Sequence, residues 1–319
     1  MKLLTFVQNG EYRLGIKLEQ SVLDVQAALQ SVPSNKTLPA TIHEVIEGGS
    51  EAVELLRAYA ESVMSLVDNK EAYVLDEAAL ELGPCVTNPN KMICVGLNYR
   101  KHAEETNAAI PEFPILFNKF NNTLASQGEQ IPLPAVSQKV DYEAELVIVI
   151  GKTAKYVSRE DALSHVFGYC NVNDLSARDL QLRTQQWMLG KICDKFSPLG
   201  PYLVTADEVG DPNKLDIRCM VNGEVRQSSN TSDMIFYCDE IVSYISQHMT
   251  LEPGDIIFTG TPEGVVLGYP LEKQVYLKDG DQVTIQIEKL GALTNTMVAD
   301  KGTPSEQVLR SGSDNCVNA

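Results

Sequence analysis

Two glutamates separated by one residue, Glu143 and Glu145, stand in the segment DYEAELVIVIG. Side chains two residues apart on a β-strand point to the same face, so the spacing predicts two carboxylates side by side. Such carboxylates repel each other, and partial burial increases the repulsion. A divalent cation relieves it, and carboxylate oxygens suit Mg²⁺, Mn²⁺ or Ca²⁺ better than Zn²⁺. The alternative is a solvated strand face whose charges stay in water.

A third acid, Asp174, ends the strand-like pattern VFGYCNVND, and LSARDLQLR then begins like a helix. An acid at such a junction either points into a site or caps the helix, which is the commoner role of a lone aspartate. Together with Glu143 and Glu145 it predicts a cluster of three carboxylates. Arg178, four residues further on, is placed to stack above Asp174 on the next helical turn. The alternative for Arg178 is an ordinary ion pair on a helix surface.

His102 and Glu105 form an H-x-x-E pattern in GLNYRKHAEE. On a helix these two positions share a face, so the glutamate can hold the imidazole in one tautomer. The other ring nitrogen is then free to deprotonate a water molecule, which is general base catalysis. The alternative is a surface helix pair. The remaining histidines, His43, His165 and His248, stand in helix-like contexts and receive no role.

Several well-known catalytic motifs are absent from the sequence. It contains neither GxGxxG nor GxxxxGK[ST], so no dinucleotide or P-loop site is indicated. It also lacks the GxSxG elbow and HExxH. Any hydrolysis is therefore expected to use a metal ion and water rather than a serine nucleophile.

The composition is that of an acidic globular protein. Among 319 residues, 43 acids and 26 Lys and Arg give a formal net charge of −17. This excess argues against a nucleic-acid partner and against docking on an anionic membrane. The N-terminal apolar run is too short for a signal peptide. The cysteines are odd in number, seven, and contain no CxxC, which predicts reduced thiols in a cytoplasmic protein.

The elements that must position these residues fall into two parts. Residues 3–7 and 12–16 flank Asn9-Gly10, a hairpin signal, and apolar spacing predicts a helix from about Ser50 to Val67 with Ser50 as N-cap. The segment GPCVTNPN at 83–90 indicates a connection. We therefore predict a small N-terminal α/β domain over 1–85, a catalytic domain over 90–300, and a polar, loosely ordered tail over 301–319.

Strand-like segments dominate after this connection, which predicts an α+β fold rather than a regular βαβ alternation. The predicted strands are 92–95, 115–117, 145–150, 167–172, 215–221, 255–259 and 283–287. Asn222-Gly223 indicates another hairpin. Helices are predicted at about 158–165, 176–183 and 239–247.

Taken together and in order, seven blocks of the sequence resemble the fumarylacetoacetate hydrolase family. They are KMICVGLNYRKHAEE, FPILFNKFNNTLAS, VDYEAELVIVIGK, HVFGYCNVNDLSARDLQ, GKICDKFSPLGPYL, VNGEVRQ and LEPGDIIFTGTPEGV. The resemblance covers about residues 91–297, and the segment before Pro89 resembles the small N-terminal domain of some members. The chain departs from the family pattern at Cys193-Asp194-Lys195, which bears on the shape of the pocket.

The resemblance implies the family's mixed β-roll fold, a homodimer, and roles for particular residues. The implied ligands of Mg²⁺ or Mn²⁺, with Ca²⁺ also possible, are Glu143, Glu145 and Asp174. The implied catalytic residues are His102, Glu105 and Lys191, and the implied substrate contacts are Arg178, Gln181, Lys119 and Thr261.

A small anionic 2-oxo acid suits this set, because its keto and carboxylate oxygens can chelate a cation that acts as a Lewis acid on developing enolate charge. The leading hypothesis is cleavage of a C–C bond in an acylpyruvate, a fumarylacetoacetate-like diketo acid or oxaloacetate. The cleavage is either hydrolysis by water that His102 and Glu105 activate, or decarboxylation. One alternative is an isomerase of a 2-hydroxy-dienedioate, and another is a metabolite-binding protein without catalysis.

Overall fold

The computed structural model describes residues 1–66 and 70–302. Its helices are α1 (Val25–Ser31), α2 (Ile42–Ser65), α3 (Arg100–Glu105), α4 (Arg159–Ala162), α5 (Arg178–Gln181), α6 (Met188–Lys191), α7 (Ala206–Val209) and α8 (Cys238–His248). Its strands are β1 (Lys2–Gln8), β2 (Glu11–Lys17), β3 (Ser21–Asp24), β4 (Val74–Asp76), β5 (Met92–Gly96), β6 (Ile115–Lys119), β7 (Leu124–Ala125), β8 (Gln130–Leu133), β9 (Val140–Asp141), β10 (Ala144–Ile150), β11 (Val166–Asn173), β12 (Ser176–Ala177), β13 (Ser197–Thr205), β14 (Asp216–Val221), β15 (Glu224–Asn230), β16 (Ile256–Phe258), β17 (Gln282–Ile287) and β18 (Gly291–Ala299).

The strands of the described residues form one large and two smaller sheets. The large sheet has the order β4-β3-β2-β1-β13-β11-β10-β16-β5-β6, with β7 paired to β13. A five-stranded sheet runs β15-β14-β17-β18-β8, and β12 pairs with β9. The seven strands predicted after the connection are all present, with ends within two residues of the predicted ones. The prediction of a strand-rich α+β fold is confirmed.

Strand β10 lies inside the large sheet and carries the site. All seven residues of AELVIVI are buried, since β11 and β16 flank the strand and both of its faces are covered. A continuous apolar run is what a strand covered on both faces requires. Both predicted hairpins are present, and Asn9, Gly10, Asn222 and Gly223 all have positive φ, as a tight Asn-Gly turn needs.

Helix α2 begins earlier than predicted. Thr41 caps it in a reciprocal capping box with Glu44, so the helix starts at Ile42 rather than at Ser50. The chain breaks helical geometry at Gly49, whose φ and ψ are 57° and −140°, and helical structure resumes at the predicted Ser50. Val67, the predicted end, lies outside the described residues.

Replacing Gly49 with alanine is expected to lower the free energy of unfolding by roughly 1–3 kcal/mol, because this backbone conformation is strained for any residue with a Cβ. A Cβ at Gly49 would meet no atom within 4 Å, so the cost is conformational rather than steric. Denaturant unfolding of Gly49→Ala against the neighbouring Ser50→Ala measures it. Equal stabilities of the two variants would contradict the expectation.

The predicted boundary near residues 83–90 does not interrupt the large sheet. Strand β1 pairs antiparallel with β13, with Lys2 opposite Val204 and Leu3 opposite Leu203. One apolar cluster also contains residues from both sides, including Leu56 and Val147. The division into an N-terminal and a catalytic domain stays a prediction. Most of the predicted tail, residues 303–319, lies outside the described part of the chain.

The cysteines within residues 1–66 and 70–302 form no disulfide, and five of these six are buried. Over the same residues, no helix is both long enough and apolar enough to cross a membrane.

Candidate active site

The three predicted carboxylates meet at one end of the β10–β11 pair. Glu143 directly precedes β10, Glu145 lies within it, and Asp174 directly follows β11. These strands are antiparallel with Ala144 opposite Asn173, so the register brings the three acids together. One oxygen from each lies within 4.8 Å of the others, and no residue of the three is more than 5% exposed.

Two lysines contact this acidic triad, which we define as Glu143, Glu145 and Asp174. Lys191 Nζ donates to Glu143 Oε2 and to Asp174 Oδ2, each at 2.6 Å. Lys119 Nζ donates to Asp174 Oδ1 at 2.5 Å and to the Phe196 carbonyl at 2.7 Å. The side chain of Lys119 is completely buried. Lys119 therefore holds Asp174 in place.

Arg178 does not pair with Asp174, so the predicted stacking on the next helical turn is wrong. Its Nε donates to Asp141 Oδ2 at 2.9 Å, and its Nη2 lies 2.7 Å from Glu143 Oε1. The reason is that Ser176 and Ala177 form strand β12 rather than the predicted start of a helix. In β12, Ser176 pairs with Asp141 of β9. Arg178, which follows β12, therefore lies close to Asp141. The ion pairs are buried rather than on a helix surface.

The balance of charge fits a divalent cation. Four carboxylates, those of the acidic triad and Asp141, face three cations, Lys119, Arg178 and Lys191, which leaves one negative charge in excess. Burial raises the pKa of Glu143, but Lys191 and Arg178 outweigh it and hold that pKa at about 2. Burial raises the pKa of Glu145 well above its usual range, and Asp174 and Glu143 add to the rise. Glu145 is thus the carboxylate that lacks a positive partner, as a metal ligand in a metal-free protein would.

His102 and Glu105 form the predicted pair on helix α3. His102 Nδ1 lies 2.8 Å from Glu105 Oε1, and the other carboxylate oxygen accepts from the Gly264 backbone N–H at 3.0 Å. Because a carboxylate can only accept, Nδ1 carries a proton, and in the neutral imidazole Nε2 then keeps its lone pair. His102 is therefore oriented as a base.

A cavity of about 210 Å³ connects these groups. Seven of the ten predicted site residues line it, namely His102, Glu143, Glu145, Arg178, Gln181, Lys191 and Thr261. Asp174 is fully buried and does not line it, and neither does Lys119, which the resemblance placed at the substrate. Glu105 does not line the cavity itself, but it is hydrogen-bonded to His102, which does. The volume is below the roughly 300–1,000 Å³ of pockets for drug-sized ligands, so the cavity suits a small molecule.

The sequence motifs did not reveal the apolar wall of this cavity. Trp187, the single tryptophan of the chain, lies edge-on to Phe117 with ring centroids 5.6 Å apart. Its ring covers Gly96, where a Cβ would lie 2.3 Å from a ring carbon. Gly96 and Phe117 lie on β5 and β6, and Trp187 directly precedes α6, so no local signal marks these three as a wall. The cavity therefore has an apolar side in addition to its charged residues.

Backbone N–H groups of one loop hold three functional carboxylates. We call residues 260–268 the anchor loop. Its Gly260 N–H donates to Glu145 Oε2 at 2.8 Å, its Gly264 N–H to Glu105, and its Val266 N–H to Asp141 Oδ1 at 2.9 Å. These bonds explain why the TGTPEGV segment belongs with the site. Asp141 itself was not predicted, because an acid two residues before Glu143 reads as part of the same charged strand face.

Comparison with known proteins agrees with this geometry. The family model of the fumarylacetoacetate hydrolase C-terminal domain matches residues 91–298. The chain is 44% identical over 264 residues to the mitochondrial oxaloacetate tautomerase FAHD2A of Bos taurus, covering 82% of this chain and 81% of that protein.

Two solved structures cover 94% of this chain and the whole of their own chains. One is a fumarylacetoacetate hydrolase from Exiguobacterium antarcticum, 36% identical with a TM-score of 0.77. The other is a maleylpyruvate hydrolase from Sphingobium in complex with manganese(II) and pyruvate, 31% identical with a TM-score of 0.75. The resemblance predicted from the sequence motifs is confirmed, and the chain belongs to the fumarylacetoacetate hydrolase family.

Proposed function

We propose that this protein catalyses keto–enol tautomerisation of a small 2-oxo acid, with oxaloacetate as the first candidate, in the presence of Mg²⁺ or Mn²⁺. One observation carries the proposal: the His102 base, Glu143 and Glu145 of the acidic triad, and Arg178 all border the same small cavity. The mammalian relative at 44% identity is an oxaloacetate tautomerase, which supports the choice of reaction.

The acidic triad would hold the cation, and the manganese complex of the Sphingobium neighbour supports this assignment. When bound, the cation supplies Lewis-acid polarisation of an oxygen on the substrate. It would also offset the excess negative charge of the site, which favours an anionic substrate.

The chain's own residues can perform the proton transfer. Arg178 would bind a carboxylate of the acid, with Gln181 beside it, since Gln181 Oε1 accepts from Arg178 Nη1 at 2.9 Å. His102 Nε2 would take a proton from C3 of oxaloacetate, while the electron pair moves to the 2-oxo oxygen. The same proton returned to that oxygen gives the enol. No water is consumed and no C–C bond breaks.

Cleavage of a C–C bond, the leading hypothesis from the sequence, is the second candidate. It is supported by the Sphingobium neighbour, a maleylpyruvate hydrolase of the same fold. In that reaction His102 and Glu105 would activate a water molecule rather than remove a C3 proton. The isomerase alternative from the sequence is chemically nearer to the tautomerase, because both only relocate a proton.

An assay panel separates the candidates. Oxaloacetate, acetylpyruvate and fumarylpyruvate are incubated with the protein, with Mg²⁺ or Mn²⁺ and with EDTA. Keto–enol equilibration is followed by absorbance and products by mass spectrometry. We expect equilibration of oxaloacetate to accelerate only with metal, without pyruvate beyond the uncatalysed amount. Enzyme-dependent pyruvate from oxaloacetate would instead indicate decarboxylation, and pyruvate from either acylpyruvate would indicate hydrolysis. Tight binding of one of these acids without turnover would indicate a metabolite-binding protein without catalysis.

The homodimer stays a proposal from the family resemblance, whereas the predicted cytoplasmic location has a competing indication. The Bos taurus relative is named as mitochondrial, which favours that compartment over the cytoplasm for a chain of this kind. Sedimentation of the purified protein tests the dimer.

A further inference from the structure

Gln227, in strand β15 of the five-stranded sheet, reaches across to the site. Its side chain is fully buried. Its Oε1 accepts from the Ala144 backbone N–H at 2.9 Å, and its Nε2 donates to Thr261 Oγ1 at 2.9 Å and to the Pro262 carbonyl at 2.8 Å. A backbone N–H can only donate and a carbonyl can only accept, so the orientation of this amide is fixed by its partners.

That orientation determines what Thr261 can do. Its hydroxyl oxygen accepts a hydrogen bond from the Gln227 amide, so its own single proton has to point elsewhere. No acceptor for that proton is found in the described part of the chain, and Thr261 borders the cavity. The hydroxyl is therefore left as a donor on the cavity side, next to Gly260, which holds Glu145.

The neighbouring polar groups present donors as well. Gln181 uses its Oε1 to accept from Arg178, which leaves its amide N–H groups. Lys191 and Arg178 are cationic donors that line the same cavity. A ligand in contact with this set must present acceptors, which a carboxylate or a 2-oxo oxygen does.

We propose that Gln227 is a positioning residue that directs the Thr261 hydroxyl proton to an anionic oxygen of the bound acid. The identity of that acid rests on the proposed function. The direction of the proton rests on the hydrogen bonds of Gln227 alone. Gln227 touches neither substrate nor metal and acts through Thr261.

Calorimetry of two ligands tests this. Mn²⁺ is titrated into each variant first, and pyruvate into the Mn²⁺-loaded protein second. Thr261→Val removes the hydroxyl at constant shape and is expected to raise the Kd of pyruvate roughly tenfold, as loss of one charge-assisted hydrogen bond does. Thr261→Ser, the conservative control, keeps the hydroxyl and should stay within about threefold of wild type. The Kd of Mn²⁺ should not change.

Gln227→Glu tests the positioning role. It keeps an oxygen for Ala144 but places a second oxygen where Nε2 donated, so Thr261 would donate to the carboxylate and turn from the cavity. We expect a loss of pyruvate affinity similar to that of Thr261→Val, roughly tenfold. The double variant should be no weaker than the weaker single variant, because both remove one interaction. Multiplied losses would overturn the proposal, as would wild-type affinity in Thr261→Val.

A second measurement covers the case in which Gln227→Glu does not fold. The side-chain amide resonances of Gln227 in the ¹⁵N-labelled protein should shift when pyruvate binds to wild type and stay unchanged in Thr261→Val. A shift in both proteins, or in neither, would overturn the positioning role. The test requires binding and no turnover, so it is distinct from the proposed function. If pyruvate binds wild type and Thr261→Val equally, only this inference fails. If oxaloacetate shows no tautomerisation, the proposed function fails.

Discussion

Replacing His102 with asparagine is expected to lower kcat for oxaloacetate tautomerisation by about 10²–10⁴-fold, the usual contribution of a positioned general base. Asparagine is short and polar and can still donate to Glu105, but it has no nitrogen that accepts a proton. The imidazole borders the cavity and is held at 2.8 Å by Glu105, so the loss should fall on proton transfer and not on folding. Steady-state kinetics at saturating oxaloacetate and Mg²⁺ measure it.

His248→Asn is the matched control, because His248 lies at the end of α8 and packs on Tyr244, with ring centroids 4.8 Å apart. It should leave kcat unchanged. Mn²⁺ affinity should also be unchanged in His102→Asn, since the histidine is not one of the three acids. A kcat above roughly one tenth of wild type in His102→Asn would mean that another group removes the proton, since a general base contributes more than that.

The acidic triad was predictable because its geometry is nearly local. Glu143 and Glu145 owe their proximity to the period of a strand, and Asp174 follows the strand that pairs directly with β10. The partner of Arg178 was not predictable in the same way. It depends on a two-residue strand, β12, whose pairing with β9 leaves no pattern in so short a segment.

Lys119 shows a different limit. Its place in the family motif pointed to the substrate, whereas the structure buries its ammonium between Asp174 and the Phe196 carbonyl. Motif membership identifies a residue that the site needs, but not whether it faces the cavity or supports a residue that does. Only packing between distant segments decides this, and Asp174 and Lys119 are 55 residues apart.

The role of the anchor loop was not predictable from the sequence either, because it depends on backbone N–H groups. Every residue except proline has one, so nothing in residues 260–268 shows that three carboxylates will accept from them. Gly264 shows a physical constraint on the sequence: its φ is 98°, and a Cβ there would lie 2.2 Å from the Arg226 carbonyl oxygen. A glycine is needed for the loop to approach β15, and this approach brings Gln227 to Thr261.

Replacing Glu145 with glutamine is expected to abolish stabilisation by metal while leaving the metal-free protein folded. Burial raises the pKa of Glu145, and the charges of Asp174 and Glu143 add to the rise, so its ionised form is unfavourable without a cation. Glutamine removes that unfavourable charge and keeps an oxygen for the Gly260 N–H, the bond that ties Glu145 to the anchor loop. Its amide oxygen is a much poorer ligand for Mg²⁺ or Mn²⁺ than a carboxylate, so we expect affinity to fall by at least about 100-fold.

Unfolding with and without Mn²⁺ measures this directly. At a free concentration of 100 times its Kd, a ligand that binds only the folded state stabilises it by about 2.7 kcal/mol. Wild type and the control Glu272→Gln, which changes an exposed glutamate, should show this gain, and Glu145→Gln should not. Without metal, Glu145→Gln should be at least as stable as wild type, because it removes a buried charge without losing a hydrogen bond. Equal stabilisation of wild type and Glu145→Gln by Mn²⁺ would place the cation elsewhere, since the acidic triad cannot lose its uncompensated carboxylate and bind a divalent ion as before.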